Sequence, residues 1–158
     1  MLSKRAGLLV ATWACLFVML SPASLASETA SPRVSGAEAT LEVTVVHATK
    51  GAPSIDPKLK DLASYLKTSL GDYNAFAQKG SHRATVKVGA ATSVSLPDTT
   101  NLTLSYRGVA KGFVKVYLEL DGLKTTVDVR DGGLFFQAGR RHKGGILVLA
   151  IKARTGGA

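Results

Sequence analysis

The dipeptide Asp121-Gly122 separates two runs in which apolar and polar residues alternate, 113–120 and 123–130. A two-residue turn of this composition takes positive φ at both positions and joins neighbouring antiparallel strands. It therefore sets a register. Leu120 faces Leu123, Glu119 faces Lys124, Val116 meets Val127 and Lys115 meets Asp128. Apolar pairs gather on one face and opposite charges on the other. A slip of one residue would carry the charges into the core. Cross-strand pairs of this kind contribute roughly 0.2–1 kcal/mol each.

Alternation extends well beyond this hairpin. Leu41, Val43 and Val45 form one apolar set, and Ala84, Val86 and Val88 another. Residues 92–96 read as a short strand ended by Pro97, and Leu102, Leu104 and Tyr106 as the inward set of the next. Asp131-Gly132-Gly133 reads as a second tight turn into a strand at 134–137. Residues 146–151 are apolar at every position, as in a strand buried on both faces. That places the strand centrally, with a helix on one side. The Lys-Gly dipeptides at Lys50, Lys79, Lys111 and Lys143 read as polar turn tips.

One segment has a helical period instead. Asp56 is a favoured N-cap and Pro57 a favoured first helical residue. Leu59, Leu62, Leu66 and Leu70 follow at spacings of three and four, with Lys58, Lys60 and Lys67 off the stripe. Gly71 stands where a left-handed terminating residue is expected. The expected class is α+β: a mostly antiparallel β meander or sandwich with one amphipathic helix, near 57–70, packed on it. It forms a single domain over 41–154, followed by a disordered tail at 155–158.

The first 26 residues belong to a different kind of segment. Lys4 and Arg5 precede an apolar run over 8–20, and small residues follow at Ser24 and Ala26. That order is the pattern of a secretory signal peptide, cleaved after Ala26. The apolar run is shorter than the roughly 20 residues a membrane-spanning helix requires. Residues 27–40 are small, polar and aperiodic, and read as a flexible leader. Export to the periplasm or the extracellular space, in a bacterial host, is the expectation. No transmembrane span is expected once the signal is removed.

The signal contains Cys15, Trp13, Met1 and Met19, which are all the cysteine, tryptophan and methionine of the chain. The remaining domain has no disulfide, thiolate nucleophile or cysteine metal site available to it. Losing Lys4 and Arg5 lowers the formal net charge from +9 to +7. A basic exported domain favours anionic partners: acidic polysaccharide, lipid headgroups or an envelope protein. Export makes nucleic acid an unexpected partner.

Catalytic patterns are scarce. His47, His82 and His142 have no metalloprotease spacing, and there is no nucleophile-elbow pattern. Gly80-Ser81-His82 reads as a loop. Glu119 and Asp128 already face lysines. Neither a metal nor a cofactor is expected. An enzyme centred on His47 or His82 is the least favoured of three readings.

The candidate binding residues are Arg140, Arg141, His142 and Lys143, in a basic loop at 139–145 flanked by glycines. Arginine forks grip phosphate, sulfate or carboxylate in bidentate fashion. With Val114, Val116 and Leu118 inward, Phe113 and Tyr117 point outward. With Leu134 and Phe136 inward, Phe135 points outward. These aromatics could stack on sugar rings or pack on a partner. The leading expectation is a non-catalytic exported module that binds an anionic envelope polymer or partner protein. An assembly accessory whose last strand completes a neighbour's sheet is the alternative.

Overall fold

A computed structural model describes residues 36–156. The expected signal peptide lies outside the described residues, as does the leader up to position 35. Of the described residues, 64% are in strands, arranged in two antiparallel-rich sheets with one short helix.

The first sheet contains β1 (Glu38–Thr49), β2 (Ser54–Ile55), β3 (Ala75–Lys87), β8 (Leu134–His142) and β9 (Gly145–Thr155), in the order β2-β3-β1-β9-β8. The second contains β4 (Ala91–Ser95), β5 (Asn101–Ala110), β6 (Phe113–Leu120) and β7 (Leu123–Arg130), in sequence order. The expected meander therefore covers only β4 to β7. After β7 the chain returns to the first sheet and lays β9 beside β1. The turn at Asp131 makes this crossing. Its carboxylate accepts from the Thr155 amide at 2.8 Å and the Thr155 hydroxyl at 2.7 Å. Thr155 is thus a buried strand residue, not part of a tail. Order also begins earlier than Leu41, with β1 starting at Glu38.

The β6–β7 hairpin has the expected register, with Leu120 opposite Leu123, Glu119 opposite Lys124 and Lys115 opposite Asp128. Asp121 and Gly122 have φ of 47° and 81°. Both ion pairs form, at 3.3 and 2.8 Å. Lys111-Gly112 and Lys143-Gly144 make the same kind of turn, again with positive φ at both residues. Lys79 does not lie at a turn tip. It is the extra residue where the β1–β3 register shifts, between Val45 opposite Gly80 and Val46 opposite Gln78.

Two apolar clusters hold the domain. The larger draws Leu41, Val43, Leu149 and Ile151 from the first sheet and Leu102, Leu104, Tyr106, Val116 and Leu118 from the second. The smaller lies on the other face of the first sheet and joins Val46, Ala48, Phe76 and Val148 to Leu59 and Leu66. Residues 146–151 thus contribute to both faces of the sheet. The expected helix forms in two parts: a 3-10 turn, Pro57–Leu62, and then α1 (Ala63–Ser69). Asp56 caps it by accepting from the Lys58 amide at 3.0 Å. Gly71 is not left-handed; the terminating residue is Leu70, with φ of −129°.

β3 begins nine residues before the apolar alternation that starts at Ala84. Beyond Phe76, which is buried, residues 78–83 are polar or glycine, and this part of β3 has a strand neighbour on one side only, β2 being two residues long. Gly80, Ser81 and His82 are strand residues, not a loop.

Candidate functional site

The basic segment is extended rather than looped. β8 runs to His142, and only Lys143 and Gly144 turn, with φ of 41° and 77°. Within β8 the alternation breaks once. Ala138 pairs with Val148 and Arg140 with Leu147, so Gly139 is an extra residue, and its φ is 125°. This is a β-bulge at a backbone conformation that favours glycine.

As strand neighbours the two arginines take opposite faces, and the bulge decides which face each takes. Arg140 pairs with Leu147, which belongs to the core between the sheets. Each of its three guanidinium nitrogens makes a hydrogen bond there. Nε donates to Asp98 at 2.8 Å, Nη1 to Asp121 at 2.6 Å and Nη2 to the Thr100 hydroxyl at 2.9 Å. The hydrogen bonds it donates to Asp121 and then to Asp98 raise its pKa above the usual arginine value. Burial pushes Asp98 up, but the hydrogen bonds from Arg140 and Thr100 outweigh burial and hold its carboxyl below the usual value. Arg140 is therefore a tie between the sheets and not an open anion grip, which corrects the expectation for this residue.

Arg141 pairs with Ile146 on the helix side. There it joins Lys50, Tyr73, His142 and Lys143 around an open cleft of about 460 Å³. Lys50 Nζ lies 5.7 Å from the centre of the Tyr73 ring, a cation–π contact. Among the described residues, no carboxylate lines the cleft, and Lys50, Arg141 and Lys143 form no ion pair.

The floor of the cleft is fixed by backbone. His47 Nε2 donates to the His142 carbonyl at 2.8 Å, and the two rings meet edge to face at 5.4 Å. A Cβ on Gly145 would overlap the Ala48 carbonyl oxygen, so β9 can lie this close to β1 only with glycine there. Lys50 and Tyr73 were not among the sequence candidates. Both lie in connections flanking the helix, and nothing in the local pattern links them to residue 141.

The aromatic candidates lie elsewhere. Phe113 and Tyr117 are on β6, on the face of the second sheet away from the core, and Arg107 stacks over Tyr117 at 5.2 Å. Asp121, which anchors Arg140, is at the far end of that strand from Phe113, a distance of about 26 Å at strand rise. Phe135 points the other way from the expectation. It pairs with Ile151 and packs against the larger core, while Phe136 packs on the helix side with Tyr65. The site thus keeps Arg141, His142 and Lys143 together, but not Arg140, Phe113, Tyr117 or Phe135.

His82 lies mid-strand beside Ser81, Ser93 and Ser95, and its Nε2 is 3.2 Å from the Thr92 hydroxyl. No carboxylate lines that cleft among the described residues. β9 is hydrogen-bonded to β1 on one side and β8 on the other, so its edges are not free to extend a neighbouring sheet. No helix among the described residues is long and apolar enough to cross a membrane. No family model matches the chain, and neither a curated protein nor a solved structure is similar enough to inform its function.

Proposed function

We propose that the chain is an exported, non-catalytic binding module that takes an anionic group in the cleft between Lys50, Arg141 and Lys143. The observation that carries this reading is the convergence of three unpaired cations on one cleft without a carboxylate. Guanidinium and ammonium donors converging this way suit phosphate, sulfate or carboxylate. Tyr73 adds an apolar wall beside Lys50. The positive residues Lys4 and Arg5 and the apolar run at 8–20 support export, and with it an anionic group on an envelope polymer, a lipid or a partner protein.

The fold that presents the site is, in this reading, a two-sheet sandwich with an amphipathic helix on the outer face of one sheet. It is supported by the apolar cluster drawn from both sheets, and by Leu59 and Leu66 being buried beneath exposed Lys58, Lys60 and Lys67. Such a scaffold holds β8 and β9 rigidly, so the cleft is preorganised.

The test is retention on a sulfated or phosphorylated matrix as salt is raised. The Arg141→Ala/Lys143→Ala variant is expected to elute at clearly lower salt than the parent, and Arg140→Ala near the parent position. Equal elution of the parent and the Arg141/Lys143 variant would overturn the reading.

A further inference from the structure

The basic cleft does not end in solvent on all sides. On the same face of the first sheet, a second cleft of about 300 Å³ is lined by Leu66, Leu70, Phe136, Ala138 and Val148, with Ser69 at its rim. Its lining is apolar apart from that serine.

The two clefts adjoin through three elements. On β9, Val148 lines the apolar cleft and Ile146 the basic one, two residues or about 7 Å apart on one face. On β8, Ala138 lines the first and Arg141 the second, brought onto the same face by the bulge at Gly139. Beyond the helix, Leu70 lines the first and Tyr73 the second, and the Tyr73 amide donates to the Leu70 carbonyl at 2.8 Å. Were Gly139 paired rather than bulged, residues 138–141 would alternate regularly, with position 140 on the face of Ala138 and Arg141 toward the other sheet. The bulge therefore places a cation directly beyond an apolar groove.

We propose that the ligand is a single-chain anionic amphiphile, its headgroup held by Lys50, Arg141 and Lys143 and its alkyl chain laid along Leu70, Phe136 and Ala138. This rests on the anion-binding reading and adds a chain to it. The charge of the cleft selects the headgroup. The groove selects a chain over a sugar or peptide, because apart from Ser69 its side chains offer no polar partner. Each buried methylene tightens binding about fourfold, from the usual transfer free energy of that group.

Titration calorimetry on the purified protein with inorganic phosphate, butyl phosphate and octyl phosphate, all below micelle formation, tests both readings separately. Butyl phosphate is expected to bind at least tenfold more tightly than phosphate, octyl phosphate more tightly again, and octanol not measurably. Ala138→Phe, which fills the groove at an exposed strand position, is expected to remove the chain-length dependence and leave phosphate binding unchanged. If all three phosphates bind equally, the amphiphile proposal fails and the anion site stands. If none binds, both fail. Chain-length dependence that survives Ala138→Phe overturns the proposed groove. Binding to anionic vesicles alone, with none to monomeric octyl phosphate, overturns the single-molecule ligand.

Discussion

Arg140 Nε donates to Asp98 Oδ2 at 2.8 Å, linking β8 of one sheet to the loop between β4 and β5 of the other. The contact is partly buried, and the same guanidinium also reaches Asp121 in the β6–β7 turn. One side chain thus joins three segments that are 42 and 19 residues apart in sequence. Arg140→Ala is expected to destabilise the fold by about 2 kcal/mol, in the range for hydrogen bonds to charged groups. Arg141→Ala is expected to change stability by under about 0.5 kcal/mol, as exposed substitutions usually do. Urea denaturation of the two variants, side by side, separates the structural arginine from the binding one.

The bulge at Gly139 makes a second prediction. Its φ of 125° lies where side chains other than glycine are strained. No neighbouring atom would meet a Cβ there, so strain and not collision is the cost. Gly139→Ala should destabilise by about 1–3 kcal/mol, and it should also weaken anion binding by turning Arg141. Deleting Gly139 removes the extra residue and its strain together, and leaves Arg140 opposite Leu147 and Arg141 opposite Ile146, so binding should be kept. Retained phosphate binding in a folded deletion variant, seen by calorimetry and circular dichroism together, is the expected outcome.

Gly145 is constrained by collision instead. A Cβ there would overlap the Ala48 carbonyl and press on Thr49 and His47. Backbone at the β1–β9 ladder cannot yield as a flexible side chain can. Gly145→Ala should therefore cost about 3 kcal/mol, at the upper end of overpacking effects. The thermal midpoint should fall further for Gly145→Ala than for Gly144→Ala, whose Cβ would meet open space.

The β6–β7 ion pairs are exposed and should matter little for stability. Glu119→Lys places two ammonium groups opposite each other and should destabilise by roughly 0.2–1 kcal/mol. Exchanging both residues, Glu119→Lys with Lys124→Glu, should recover most of that loss. A double-mutant cycle at low and high salt measures the pair, with a smaller coupling at high salt.

The domain should be lost at both pH extremes, for different residues. The Thr155 amide and hydroxyl, with smaller help from Gly132 and Arg154, outweigh burial and hold the Asp131 carboxyl below its usual 3.8. Asp98 is also depressed. Both contribute stability that is full above the unfolded value near 3.8 and is lost as pH falls below it, because the unfolded chain takes up those protons first. Tyr106 behaves oppositely. Burial, then the charge of Asp131, raise its phenol above 10.0, so its contribution is lost as pH rises past 10. Asp131→Asn should flatten the acid limb of a stability-versus-pH curve; an unchanged slope below pH 4 would rule out this role for Asp131.

The parts of the fold legible in sequence were those governed by near neighbours. The Asp121-Gly122 register could be read because turn geometry and charge pairing act within a few residues, and it recurs unchanged in the structure. The Asp56 cap and the inward sets of β1, β5 and β6 were legible for the same reason. Boundaries failed where an edge strand has little to bury. β3 from Gln78 to Arg83 has no apolar period, and there its other edge has no strand neighbour.

The candidate site divides along the same line. Sequence alone identified a basic segment at Arg140 to Lys143 and glycines on either side of it. It could not say which arginine is free, because that depends on one extra residue in a strand pairing. Nor could it place Lys50 and Tyr73 beside Arg141, since strand β9 carries the chain back across the sheet to meet them. Composition and alternation determined a basic, cysteine-free, β-rich domain through local propensity and burial. Tertiary pairing decided the rest: the bulge at Gly139 turned one arginine inward as a structural tie and its neighbour outward into the cleft.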